Sequence, residues 1–150
     1  MIRALYSCLC YGAQPLIWAR LLWRARRQPD YLRHLGERYG YYAARPSSPL
    51  IWLHVVSVGE TRAAEPLMKA VLKAYPDHTL LLTHMTPTGR DTGAELIARL
   101  RPAHGDRLQQ AYLPYDLPGA TRRFLEHFRP SLGLLMETEL WPNLIAAAKD

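Results

Sequence analysis

The chain is poor in the residues that would settle its class at once. Its only cysteines in 150 residues are Cys8 and Cys10, two positions apart in an apolar stretch. That excludes a disulfide framework, and two thiolates alone do not make a zinc site. They read as small apolar fillers and suit a reducing compartment. The histidines His34, His54, His78, His84, His104 and His127 form no ligand-spaced pair, so no metal is expected. The glycine fingerprint of dinucleotide-binding folds and the lysine-bearing P-loop are both missing. No apolar run reaches the roughly 20 residues that span a bilayer as a helix. Residues 1–45 lack lysine and hold only two acids, Asp30 and Glu37.

What those 45 residues do hold is arginine: Arg3, Arg20, Arg24, Arg26, Arg27, Arg33, Arg38 and Arg45, eight against two acids. The eleven basic and eleven acidic residues of 46–150 cancel, so the whole net charge of +6 sits in the N-terminal segment. Such asymmetry points to an anionic surface, nucleic acid or phospholipid. A nucleic-acid binder would carry basic and aromatic residues along its folded part as well, and the neutral remainder argues against it. Ala4 to Ala19 is mostly apolar, is interrupted at Gln14-Pro15, and is followed by Arg20, Arg24, Arg26 and Arg27 interleaved with Leu21, Leu22 and Trp23. Aromatic and aliphatic residues beside arginine describe a helix in the membrane interface, with its basic cluster on the cytoplasmic side. A cleaved signal peptide fits poorly, because the basic n-region is thin, the arginines lie on the wrong side, and no small-x-small site follows.

Apolar residues make up 49 % and charged residues 21 % of the chain, the balance of a globular domain. Residues 1–27 are read as a membrane-associated segment and residues 28–49, closing on Arg45-Pro46-Ser47-Ser48-Pro49, as a linker. Residues 50–150 read as the folded domain. There, strands are predicted at Leu50–Val56, Thr79–Thr83, Gln110–Leu113 and Leu132–Met136. Each is followed by a loop and a helical pattern. Near-continuous apolar strands alternating with helices predict an α/β fold with a Rossmann-like parallel sheet. Ligands of such sheets bind outside the carboxyl ends of the strands. Glu60, Thr86–Gly89, Asp116, Glu137 and Glu139 fall at those ends. The pattern stops inside a helix at Asp150, and the expectation is a truncated sequence.

Two readings of Glu60 stand side by side. A carboxylate after a strand and beside Gly59 can face a cleft and take a proton from a hydroxyl nucleophile. Ser57-Val58-Gly59-Glu60 equally fits a capping box, with Ser57 as N-cap. Pro66 favours a main helix starting near Glu65, which would leave Glu60 in a free loop. Thr86-Pro87-Thr88-Gly89 is a plain turn or a cradle for a phosphate or sugar, built from the hydroxyls of Thr86 and Thr88 and the backbone at Gly89. If strand geometry persists past Met136, Glu137 and Glu139 point opposite ways, one into the cleft and one toward a helix cap. Trp141 can stack on a sugar or anchor the loop. His54 reads as a satisfied core residue.

Six segments taken in order resemble one family. They are Tyr11–Trp18, Gly36–Gly40, His54–Glu60, Met85–Gly89, Tyr112–Pro118 and Met136–Leu144. Together they resemble the transferases that add 3-deoxy-D-manno-octulosonic acid (Kdo) during lipopolysaccharide assembly. The resemblance implies the N-terminal, acceptor-side domain of a two-domain B-type glycosyltransferase fold, preceded by an N-terminal membrane-associated helix. It implies transfer of Kdo from CMP-Kdo to a lipid A precursor at the cytoplasmic side of the inner membrane, without cofactor, metal or nucleic acid. Carried over by position, Glu60 matches the general base and Glu137 a carboxylate that stabilises the transition state. Ser57, Gly59, Thr86, Thr88, Gly89 and Glu139 become substrate-site candidates. The donor would sit mainly on a C-terminal domain, so this stretch alone is expected to be inactive. The family commonly has threonine where this chain has His84. The rival expectation is a noncatalytic membrane-surface module, in which Glu60 is only a cap.

Overall fold

The computed structural model of the chain describes residues 2–43, 49–137 and 140–149. The elements begin with α1 (Ile2–Gly12), α2 (Gln14–Ala25) and two short 3-10 turns (Pro29–Leu32 and Glu37–Tyr39). There follow β1 (Leu50–His54), α3 (Val58–Ala63), α4 (Glu65–Ala74), β2 (Thr79–His84) and α5 (Pro87–His104). A further 3-10 turn (Gly105–Arg107) leads to β3 (Leu108–Tyr112), α6 (Pro118–Phe128), β4 (Leu132–Leu135) and α7 (Pro142–Ala147). They divide into two compact units. A sheet unit holds Ala43–Leu113 and Phe128–Glu139, and a helical unit holds Met1–Tyr42, Pro114–His127 and Leu140–Asp150.

The sheet unit is a Rossmann-like α/β domain. Its four strands are all parallel, in the order β3-β2-β1-β4. The central strands β1 and β2 are buried at every position, which is why their sequences LIWLH and TLLLTH do not alternate with polar residues. The predicted strand Leu50–Val56 ends its ladder at His54, with one more bond from Val55 N–H to Thr83 O at 3.0 Å. On one side, Ile51, Leu53 and Val55 pack with Leu80 and Leu82 against Met68, Val71 and Leu72 of α4 and Leu96, Ile97 and Leu100 of α5. The spacings on α4 and α5 are those of a single helix face turned to the sheet. On the other side, Trp52 donates from Nε1 to Thr83 Oγ1 at 2.7 Å. Its ring lies over β4 at Gly133, where a Cβ would stand 2.9 Å from Trp52 Cε3. Glycine is therefore what lets the indole pack there. The edge strand β4 is largely exposed, including Leu132 and Leu135.

In the helical unit the N-terminal segment forms two helices where one interrupted helix was expected. The break falls at Ala13, just before Gln14-Pro15, and proline takes the first turn of α2 because it has no N–H to offer further in. Among the described residues, no helix is long and apolar enough to cross a membrane. Ile2, Leu5 and Leu9 of α1 stand 88 %, 65 % and 65 % exposed, and Leu16, Leu22 and Trp23 of α2 are exposed too. Leu21 is the buried residue of that helix. The segment Gly36–Gly40 is held by backbone contacts. Tyr115 N–H donates to Arg38 O at 2.8 Å. Arg123 donates to Tyr39 O from Nε at 3.1 Å and from its terminal nitrogen at 2.6 Å. Gly40 has φ +83°, and a Cβ there would meet Ala120 O at 2.5 Å, so this position admits only glycine without rearrangement.

Candidate active site

Within the sheet unit, β2, β1 and β4 lie side by side, so their carboxyl ends bring three loops together. The β1 loop carries Ser57, Gly59 and Glu60, the β2 loop carries Thr86, Thr88 and Gly89, and Glu137 follows β4. Glu139 lies outside the described residues.

Glu60 is not in a free loop. Ser57 is the N-cap of α3, its backbone extended and its Oγ accepting from Glu60 N–H at 3.1 Å. The Glu60 carboxylate reaches back and accepts from Val56 N–H at 2.9 Å. This is the capping-box arrangement, with the carboxylate on the amide one residue ahead of the cap. Pro66 opens a second helix, α4, directly after α3, so both helix starts foreseen in the sequence are used. Partial burial raises the Glu60 carboxyl's proton affinity. The hydrogen bonds from Val56 and Ser57 outweigh burial and leave it below the usual glutamate value. Glu60 is therefore ionised at neutral pH while half-buried and open to one side.

His54 is buried beneath this loop, a core residue as the sequence suggested, with its hydrogen bonds to Thr83 made through one ring nitrogen. Its Nδ1 is 2.9 Å from Thr83 Oγ1. Burial pushes its pKa down to about 4, against the bond to the Thr83 backbone and the charge of Glu60. The ring is thus neutral at pH 7, and hydrogen bonds rather than an ion pair keep Glu60 ionised.

The second loop is a helix start. Thr86 is the N-cap of α5 and accepts from Gly89 N–H at 3.1 Å, so Pro87, Thr88 and Gly89 form the first helical turn, not a separate turn before a helix at Arg90. Thr86 Oγ1 also lies 3.5 Å from Val56 O and 3.4 Å from Thr88 Oγ1, which ties this loop to the Glu60 loop. Gly89 is where the two backbones approach: a Cβ would stand 3.1 Å from Val56 O. Thr88 and Ser57 are exposed beside one another's loops and offer hydroxyls to a ligand.

Glu137 is exposed and has φ +60°. The strand geometry ends at Leu135, so the expected opposite pointing of Glu137 and Glu139 does not apply. A left-handed glutamate costs roughly 1–2 kcal/mol of backbone strain, the kind of local cost found where a side chain must be aimed.

The helical unit holds Asp116, and there the carboxylate is already used. It accepts from Asn143 N–H at 3.0 Å and Leu144 N–H at 2.9 Å, while Asn143 Nδ2 donates to Asp116 O at 2.7 Å. Asp116 thus caps α7 from a distance. Trp141, at the N-cap position of α7, is half-buried. Among the described residues, no group of three or more His, Cys, Asp or Glu side chains is arranged to hold a metal. The sequence reading missed the contact of His84 with α5. His84 is fully buried, neither ring nitrogen has a hydrogen-bond partner among the described residues, and its ring fills the space left by Gly93. The signal was available in Gly89 and Gly93, spaced four apart on the helix that follows the His84 strand.

The family model described as 3-deoxy-D-manno-octulosonic-acid transferase (kdotransferase) matches residues 33–150. A 3-deoxy-D-manno-octulosonic acid transferase of Bordetella pertussis is 48 % identical over 99 % of this chain and 35 % of its own length. One from Haemophilus influenzae is 40 % identical over 97 % of the chain and 33 % of its own length. A probable mitochondrial one from Arabidopsis thaliana is 39 % identical over 98 % of the chain and 32 % of its own length. The chain spans about a third of the length of these relatives.

Proposed function

The chain belongs to the 3-deoxy-D-manno-octulosonic-acid transferase family, and from that premise we propose that it is the acceptor-side part of a glycosyltransferase of lipopolysaccharide synthesis. The fold would be the B type, with a second domain holding CMP-Kdo. The acceptor is a lipid A precursor at the cytoplasmic face of the inner membrane. The observation that carries this reading is the Glu60 carboxylate, fixed by Val56 N–H at the carboxyl end of β1 inside the matched region.

In the proposed reaction Glu60 receives the proton of an acceptor hydroxyl. The oxygen forms its bond to the Kdo anomeric carbon as the bond to CMP breaks, with inversion. A carboxylate held below its usual pKa is a weak base toward a free hydroxyl. The transfer therefore runs late, once the forming C–O bond has made the hydroxyl acidic. Glu137, aimed by its left-handed backbone, would stabilise positive charge developing on the Kdo ring. Thr86, Thr88 and Ser57 offer hydroxyls, and Gly59 and Gly89 keep the approach clear. Glu139 is a further acceptor contact in this reading.

The test is Glu60→Gln in the full-length enzyme. The amide oxygen still accepts from Val56 N–H, so the fold is kept while the base is lost. Transfer should drop about 100-fold or more with an unchanged unfolding midpoint. Near-wild-type turnover would remove Glu60 from the mechanism and favour the noncatalytic membrane-surface module, the reading that the exposed apolar residues of α1 also suit.

A further inference from the structure

The helical unit contains a cavity of about 420 Å³ that the proposed chemistry does not use. Its volume lies within the range of small-molecule sites. Three helices each contribute one stripe spaced four residues apart: Arg3 and Ser7 from α1, Pro118 and Arg122 from α6, and Asn143 and Ala147 from α7. Residues so spaced share one helix face, so each helix turns a single face to the cavity.

The floor is polar and rigid. Ser7 Oγ lies 2.9 Å from Asn143 Oδ1 and 2.8 Å from Arg3 O, and Asn143 is pinned from behind by Asp116. Proline and alanine leave the walls low. The two guanidiniums are exposed, and among the described residues no carboxylate lies within ion-pair reach of either. Two arginines facing one cavity without an acid between them repel each other unless an anion joins them. Their planar forks match phosphate oxygens. The same helix that supplies Arg3 and Ser7 shows Ile2, Leu5 and Leu9 to solvent. An occupant that is a phosphate at one end and apolar at the other satisfies both features.

We propose that the cavity of Arg3, Ser7, Arg122 and Asn143 binds the phosphate of an anionic bilayer phospholipid, seating α1 on the membrane in a defined orientation. This rests on the reading of α1 and α2 as membrane-associated. It adds a stoichiometric headgroup site to what would otherwise be diffuse attraction by the N-terminal arginines.

The experiment is vesicle co-sedimentation of the full-length protein. One vesicle set is phosphatidylcholine alone and another is phosphatidylcholine with phosphatidylglycerol. The variants are Arg3→Gln/Arg122→Gln and, as an equal loss of charge outside the cavity, Arg26→Gln/Arg27→Gln. Ala147→Glu, which puts a carboxylate into the cavity, is a second probe of the site should the double variant fold poorly. The expected result is that both cavity variants raise the half-saturating phosphatidylglycerol concentration about tenfold, and at least threefold more than Arg26→Gln/Arg27→Gln does. Equal effects of the two double variants, or wild-type binding by the cavity variants, overturns the site but leaves the membrane reading intact. No binding of the wild type to either vesicle set overturns both. Displacement of the wild type by millimolar inorganic phosphate at constant ionic strength, with no preference for phosphatidylglycerol, assigns the cavity to free phosphate and overturns the lipid proposal.

Discussion

Replacing Gly93 by alanine sets two opposed effects against each other. On an isolated helix the change is favourable by roughly 0.8–1.0 kcal/mol, because alanine is the better helix former. In this chain the added Cβ would stand 2.7 Å from His84 Cε1 and 3.0 Å from Gln110 Oε1, with the ring Nε2 also in conflict. His84 and Gln110 sit on adjacent strands with the sheet behind them, so the ring lies between the sheet and the helix. Forcing one carbon into such packing costs about 1–3 kcal/mol. Gly93→Ala should therefore be destabilising by up to about 2 kcal/mol net, read as a lower urea midpoint at unchanged slope. The reasoning makes a second demand. In the His84→Thr background the imidazole is gone, and the same alanine should be neutral or stabilising, giving a coupling of at least about 1 kcal/mol between the two sites. If Gly93→Ala stabilises the wild-type protein, or if the cycle shows no coupling, the steric account of the glycine is wrong.

The two buried histidines make stability fall with acid. His54 has its pKa lowered by burial to about 4, and His84 by burial and by the charges of His54 and Arg90 to about 3, both from 6.5. Their folded values lie below the unfolded one, so the unfolded chain binds more protons between pH 6.5 and those values. Stability is whole above pH 6.5 and is lost below it, at about 1.4 kcal/mol per pH unit for each ring. A urea midpoint unchanged between pH 7 and pH 5 would refute this, and His84→Thr should roughly halve the slope. Asp116→Ala removes the acceptor of two buried amides at the start of α7 and should cost about 2–4 kcal/mol, with Asp116→Asn costing less. A loss under about 0.5 kcal/mol in chemical denaturation would show that α7 does not depend on this cap.

The strands and the cap at Glu60 were legible for different reasons. Leu50–His54 and Thr79–His84 are buried on both faces, and such strands announce themselves as unbroken apolar runs bounded by turn residues. Ser57 and Glu60 obey a local spacing rule, so the cap could be read, but the same four residues equally described a base. Local pattern alone carries no information about which face of a carboxylate meets substrate. Asp116 shows the opposite case. It lies at a strand end and looked available, yet its partners Asn143 and Leu144 are far away in sequence, and long-range satisfaction of a carboxylate leaves no trace in spacing. Arg38 was hidden by composition: a polar, arginine-bearing stretch reads as solvated, while this arginine is 2 % exposed with its guanidinium 5.9 Å from the Tyr115 ring centre. Glu137 could not be placed by pleating because the chain turns left-handed at that residue.

The double engagement of Glu60, with its own amide on Ser57 and its carboxylate on Val56, has a genetic consequence on the proposed chemistry. Alleles at codon 60 should divide into two classes. Those that keep an acceptor of glutamate length produce a folded, silent protein that accumulates normally and still occupies the acceptor lipid. On the proposed chemistry such a product would compete with the active enzyme and would behave as a dominant allele. Those that remove the acceptor, such as alanine, also open the first turn of α3 and lower the amount of protein, which behaves as a recessive loss. One codon thus separates poisoning of a pathway from simple absence of an enzyme.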